Sequence, residues 1–514
     1  MQIGAWSDDV AQVMEDATDE VAVVRVEKPS AVLRDFFPSE GSSDADRDVQ
    51  LTATMSLEEI FDYFTQTNGC GLAFIPPKVW HQINGKYRQC EIKRVIAKQI
   101  IKHKAPFPLH PPARPKASSR FKELRKKPFT DLIAAPINDG RPYQSRVPYP
   151  SWTIDNTLAV IPGNSTYNAI SNHFQWENRM RCGGWKDPSP RDAWSTEDNI
   201  YILRWSLWTM HKDGPNNAMI WKISFLLSAT GIYLASQFRP SAAKAMYGWL
   251  GAECVLDPSC GWGDRLAGFF ATSTAKVYAG CDPNAETYKD YIRQCEAYET
   301  REFRDREDSE PLPIVEHFTV SGYPAFRSRG QKDVCIVNGP FEDIDWKEIQ
   351  ALVAPEGFDL VFTSPPYFGV ERYAAGTDKS SNQSWSRYNQ FVGWRDSFFF
   401  PMLRTSTDVL KEGGILAMNV VDPIVNKVRN EACDPMISEL CGYGMKFAGV
   451  VPMAMARRPS SSVDGMGAIP ADRFAEPVWM FTKGPRDLPS LEGGHSEIGK
   501  EPDPIRNLGL YFDA

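Results

Sequence analysis

The segment VLDPSCGWGDRLAG at 255–268 runs from apolar residues into Asp257, then through Gly261 and Gly263 into a stretch with helical character. A strand, a tight turn and a helix N-terminus in that order present backbone donors, and the space a missing side chain leaves, to a bound cofactor. The dinucleotide fingerprint is absent, because G-x-G-x-x-G needs a third glycine at 266, where Leu266 stands. Further on, KVYAGCD at 276–282 ends a second strand at Asp282, and FDLVFTSPPYFG at 358–369 ends another in a proline-locked turn that carries a tyrosine.

Together these segments resemble the S-adenosylmethionine-dependent DNA amino-methyltransferases, enzymes that methylate the exocyclic amine of adenine or cytosine. The resemblance covers roughly 215–483. It implies an α/β, Rossmann-like class I methyltransferase fold: a seven-stranded, mainly parallel sheet with helices on both faces and a last strand running antiparallel. It assigns Asp257 to the ammonium group of S-adenosylmethionine, directly or through water, with Pro258, Gly261 and Gly263 shaping the cofactor's bed. By the same resemblance Asp282 accepts from the ribose hydroxyls. Phe341, Glu342 and Asp343, in VCIVNGPFEDID at 334–345, are candidates to lie near the adenine ring. The phrase FRPSAAKAMYGWL at 238–250 is similar to the family's amino-terminal cofactor element, which puts Phe238, Arg239 and Pro240 over the methionine end.

The chemistry is expected in the turn Ser364-Pro365-Pro366-Tyr367. A hydrogen-bonding side chain and a backbone carbonyl can accept the two protons of a base amine, drawing its lone pair out of the ring and toward a methyl electrophile. Prolines keep that geometry rigid, and a tyrosine ring can stack on an extruded base. The resemblance makes Ser364 the acceptor, Pro365 the carbonyl, Tyr367 the stacking ring and Pro366 the residue enforcing the turn. Serine in T-S-P-P-Y points toward cytosine N4, with adenine N6 the alternative, since a hydroxyl is a weaker acceptor than the carboxylate common in adenine enzymes. Cytosine C5 methylation needs a cysteine nucleophile in a proline-cysteine turn, and none stands at this site. Arg372, Trp385, Arg387 and Tyr388, in the polar and aromatic stretch 368–397, are candidates to close over the base or to touch DNA. Methylation of an RNA base or a protein amide by the same turn, and a non-catalytic DNA-binding role, are the rival readings.

The chain of 514 residues has room for two or three domains, with 42% hydrophobic and 12% aromatic residues to fill them. Its formal charge is −8, but residues 1–60 carry 4 basic and 14 acidic groups, whereas 86–127 carry 14 basic and 2 acidic. Such a separation allows a locally basic surface to meet double-stranded DNA, with Lys98, Lys102, Arg125 and Lys126 as phosphate contacts. The reading is therefore an accessory region at 1–135, a Trp- and Pro-rich connecting or target-binding region at 136–214, the catalytic domain at 215–483 and a tail at 484–514. The elements expected before the catalytic core are a strand at 21–26, a mobile acidic loop at 40–48, and helices at 57–64, 91–104, 218–234 and 236–251. The segment 300–332 reads as an insertion or crossover. Trp176, Trp185, Trp194 and His173 read as packing residues ahead of base-stacking or catalytic ones. Ten cysteines without a C-x-x-C pair and seven histidines without ligand spacing indicate neither a disulfide scaffold nor a metal site. No leader and no membrane-length apolar run is read, so a soluble, cytoplasmic enzyme without metal or membrane partner is expected.

Overall fold

The computed structural model describes residues 42–68, 75–107, 109–135, 143–145, 147, 149, 158–184, 186–209, 223–225, 231–304, 312–373, 380–455 and 473–491. The strand expected at 21–26, Trp185 and the tail beyond 491 lie outside these residues.

Nine strands form one sheet: β1 Cys254–Asp257, β2 Val277–Cys281, β3 Ile314–Val320, β4 Tyr323–Arg329, β5 Asp333–Val337, β6 Phe358–Thr363, β7 Leu410–Asn419, β8 Met445–Ala454 and β9 Ala475–Lys483. Their order is β8-β9-β7-β6-β1-β2-β5-β4-β3. The pairs β1–β2, β2–β5, β1–β6 and β6–β7 are parallel, whereas β9 runs antiparallel between β7 and β8. Seven of these strands give the expected class I methyltransferase sheet with its antiparallel last strand. Two further strands, β3 and β4, extend that core at one edge among the described residues. The segment read as an insertion folds into the antiparallel hairpin β3–β4, and β4 pairs with β5 to extend the edge.

Period-2 patterning explains why the sheet is covered on both faces. Val255, Tyr278, Leu360, Ile415 and Val478 point into one apolar cluster, while their neighbours Leu256, Ala279, Val361, Leu416 and Trp479 point into the other. Helices Pro240–Leu250, Asp264–Ala271 and Ala285–Tyr298 cover the first face; Trp346–Val353, Phe400–Val409 and Cys433–Gly442 cover the second. Pro240 opens its helix at the first turn, where its missing N–H costs nothing. The helical run that carries Phe391, Trp394, Phe398 and Leu403 contains a π-helical turn, Arg395–Phe399, just ahead of Pro401. A proline denies its helix one N–H and crowds the preceding turn, which a widened turn accommodates.

The helices Leu57–Asn68, Pro77–Lys86 and Gln89–Lys102 form a separate cluster with Trp176, Met180, Trp194 and Leu203. Ile92, Val95, Ile96 and Ile100 supply its apolar face, as their spacing predicts. Two local expectations are corrected. The acidic segment read as a loop is helical over Ser42–Thr52. In the run expected to be a helix at 218–234, Ile223–Phe225 is instead a strand paired with Leu207–Thr209. Among the described residues, no helix is long and apolar enough to cross a membrane.

Candidate active site

After β1 the chain goes outward through β2 to β5 and then returns to place β6 on the other side of β1, so the strand order reverses between β1 and β6. A crevice opens beyond the carboxyl ends of strands at such a switch point. A cleft of 540 Å³ lies here, bordered by Gly261 after β1, by Asp282 after β2 and by Ser364–Tyr367 from the turn after β6. Phe238, Arg239, Pro258, Phe341 and Glu342 also line it.

The two glycines of the turn after β1 differ in purpose. Gly261 sits at φ +57, and a Cβ there would meet nothing nearer than the Ser259 carbonyl oxygen at 3.8 Å, so its missing side chain leaves room at the cleft. Gly263, at φ +72, lies hard against the Gln294 side-chain amide and lets the two helices close up.

Asp257 is fully buried and does not border the cleft. Arg265 grips it with two bonds, Nε to Oδ2 at 2.8 Å and Nη2 to Oδ1 at 3.1 Å. Tyr278 donates to Oδ2 at 2.6 Å, Thr363 Oγ1 to Oδ1 at 3.0 Å and the Ser259 N–H to Oδ1 at 3.2 Å. The carboxylate expected to meet the cofactor ammonium is thus occupied by protein. It ties the turn after β1 to Thr363, the residue before Ser364.

Asp282 does border the cleft. Its Oδ2 accepts the Gly261 N–H at 3.0 Å, and Oδ1 accepts the Asn284 N–H at 2.8 Å and the Thr287 hydroxyl at 3.3 Å. Burial pushes its pKa up to about 6. Glu342 is raised too, by burial first, and its Oε2 has no hydrogen-bond partner while Oε1 accepts from Tyr388 at 2.8 Å. Asp343 does not line the cleft; it takes a bidentate bond from Arg387, at 2.9 Å each, and one from Tyr323 at 2.7 Å. Arg239 donates to the Ala454 carbonyl and the Met455 sulfur, both at 2.7 Å, and burial lowers its pKa to about 10.

The residues expected to bind substrate are placed differently. Arg387 and Tyr388 brace Glu342 and Asp343 and do not line the cleft. Arg372 lies over the Trp385 ring at 4.9 Å, and its backbone, with that of Glu371, pairs with Gly183–Gly184, so the connecting region is bonded to the segment after the Ser364–Tyr367 turn. Lys98 and Lys102 are ion-paired to Glu58 at 3.2 Å and Asp62 at 2.6 Å within the helical cluster. Arg125 and Lys126 occupy the last turn of the helix Arg114–Lys126, whose final carbonyls cap onto Lys244. None of these four borders the cleft. Pro240 starts its helix behind the cleft wall. His173 bonds the Pro112 carbonyl at 2.8 Å, and the Trp194 indole N–H bonds that of Ala105 at 2.9 Å, both packing roles.

Sequence reasoning missed Gln237, Asp264 and Arg265, all on the cleft wall. Asp264 and Arg265 stand inside the quoted segment and read there only as a helix start. It also missed the hairpin Ile424–Val425 with Val428–Arg429, whose tip residue Asn426 borders the cleft. The dipeptide Asn426-Lys427 was its signal, since both residues take positive φ, at 52° and 65°.

No protein-family model and no curated protein matches the sequence. Among solved structures, a methyltransferase from Pyrococcus furiosus is similar at 14% identity and a TM-score of 0.24, covering 47% of this chain and 83% of that one. TrmN from Thermus thermophilus is similar at 12% identity and 0.25, covering 48% of each chain. Trm1 from Pyrococcus horikoshii, solved with S-adenosyl-L-methionine, is similar at 13% and 0.26, covering 48% of this chain and 56% of that one. At these values the likenesses add nothing to the topology already described.

Proposed function

We propose that this protein is an S-adenosylmethionine-dependent methyltransferase acting on the exocyclic amine of a nucleobase, with cytosine N4 in DNA as its first substrate to test and adenine N6 next. The observation that carries this reading is one cleft, at the switch point of a class I sheet, that brings Gly261 and Asp282 together with Ser364–Tyr367.

The residues present fit the cofactor. The unpartnered Glu342 Oε2 beside Phe341 suits an adenine amine, Asp282 has acceptor capacity for ribose hydroxyls, and Gly261 leaves the bed open. Arg239, buried and bonded to neutral acceptors, suits a carboxylate. When bound, S-adenosylmethionine supplies an electrophilic methyl group. The protein's part is positional: Ser364 Oγ and the Pro365 carbonyl accept hydrogen bonds from the amine, whose one released proton passes to solvent, Pro366 fixes the turn and Tyr367 offers its ring to the base. Asp257 holds that turn in register with the cofactor strand through Thr363.

Methylation of an RNA base or a protein amide is the second reading. It uses the same turn, and the ion pairs of Lys98 and Lys102 with Glu58 and Asp62 engage two of the lysines that would otherwise speak for duplex phosphates. The test is transfer of labelled methyl from S-adenosylmethionine to unmodified duplex DNA, RNA and protein, followed by nucleoside and peptide mass spectrometry. N4-methylcytosine formed by the native protein, and reduced at least about a hundredfold in Ser364→Ala and Tyr367→Ala, is the expected outcome. Product on RNA or protein alone would replace DNA as the substrate. No product on any of them would remove the catalytic reading.

A further inference from the structure

Asp264 opens the helix after the glycine turn and is 2% exposed. Its Oδ1 accepts from the Ser171 hydroxyl and from Gln237 Nε2, the latter at 2.9 Å. Its Oδ2 has no hydrogen-bond partner, and neither has Gln237 Oε1. Both residues border the cleft, and Gln237 directly precedes Phe238 and Arg239, which border it too. Gln237 is itself pinned, donating also to the Asn168 carbonyl at 3.1 Å and to Ser171 Oγ at 3.0 Å, so its amide oxygen is held where it is.

Two orphaned acceptors on one wall are costly unless a donor-rich group completes them, since each buried polar atom without a partner forfeits its hydration. An ammonium group is such a donor: it carries three N–H bonds and a positive charge, and a carboxylate is its strongest complement. Asp257 cannot serve, because Arg265, Tyr278, Thr363 and Ser259 already occupy both its oxygens. Arg239, on the adjacent stretch, offers the opposite charge for a carboxylate.

Resting on the methyltransferase reading, we infer that Asp264 with Gln237 is the subsite for the ammonium group of the cofactor's amino-acid end, in place of the strand-end Asp257. The pair is a binding and positioning device: it fixes one end of the ligand and takes no part in bond making. It makes recognition depend on an amino acid attached to the adenosine, so analogues lacking that portion should not sense it.

Calorimetric titration with S-adenosylhomocysteine and with methylthioadenosine, which lacks the amino-acid portion, separates these contributions. Asp264→Asn should weaken S-adenosylhomocysteine about tenfold or more while leaving methylthioadenosine within about twofold, and Gln237→Leu should show a smaller loss of the same selectivity. Equal loss of both ligands in both variants, or unchanged S-adenosylhomocysteine affinity, would overturn the assignment. If Asp264→Asn does not fold, the Gln237→Leu selectivity decides alone. Native protein that binds neither ligand would overturn the cofactor reading itself, a result distinct from native binding with no selectivity in the variants.

Discussion

Asp257 and Asp264 belong to one short segment, yet one is saturated and the other is not. That difference was illegible in the sequence, because the partners of Asp257 come from three other places: Arg265 on the following helix, Tyr278 on β2 and Thr363 at the end of β6. Asp282 was legible, since a strand-end carboxylate needs only its own strand and turn to reach the cleft. Burial pushes both Asp264 and Asp282 up to about 6. A carboxyl whose folded pKa exceeds its unfolded value near 4 binds more protons folded than unfolded between those values. Its contribution to folding stability is therefore fully present below about pH 4 and is lost as the pH rises through about 6. Ligand donors act the other way, because they favour the ionised carboxylates. S-adenosylhomocysteine should bind about tenfold or more tightly at about pH 7.5 than at about pH 5, and Asp282→Asn should flatten that dependence. Titrations at the two pH values check this; an affinity independent of pH would show that neither carboxylate meets the ligand.

At the scale of elements, the strands of the core were readable because each is an apolar run ended by an acid or a turn. The hairpin β3–β4 was not, because its charges pair across strands: Arg329 with Glu316, and Arg327 with Asp333 on the next strand. Those pairs make a sheet edge look like a solvated insertion. The run at 218–234 misled for a different reason, since apolar stretches read equally as helix or strand until a partner such as Leu207–Thr209 is known. The glycine turn gives the sharper test. Gly261→Ala adds a left-handed alanine, a cost of about 1–2 kcal/mol, and obstructs only the cleft. Gly263→Ala bears the same strain and also drives a methyl into Gln294, so its loss should exceed that of Gly261→Ala by about 1–3 kcal/mol. Urea melts should rank Gly263→Ala as the less stable, while S-adenosylhomocysteine titration should show Gly261→Ala losing affinity with its fold intact. The reverse ranking would mean that the cleft, and not the helix contact, dictates Gly263.

Across the whole molecule, the charge separation visible along the chain folds back on itself, since Glu58 and Asp62 meet Lys98 and Lys102. Exposed pairs of this kind add little stability, about 0–1 kcal/mol each, so they do not explain why the amino-terminal residues stay attached to the core. Packing does. Phe121 is fully buried and stacks on Tyr298 of the core helix, ring centroids 4.7 Å apart, with Phe303 at 5.9 Å. The Ile161 backbone bonds to β8, accepting from Ala454 at 2.8 Å. Residues well before 215 thus share the apolar cluster on one face of the sheet. Phe121→Ala should cost about 3–5 kcal/mol, the range for deleting a buried aromatic ring. If that cluster is one cooperative unit, urea unfolding followed by tryptophan fluorescence and by loss of S-adenosylhomocysteine binding should shift together to lower denaturant. A variant in which the binding transition stays in place while fluorescence alone moves would show that the Phe121 region unfolds independently of the cleft.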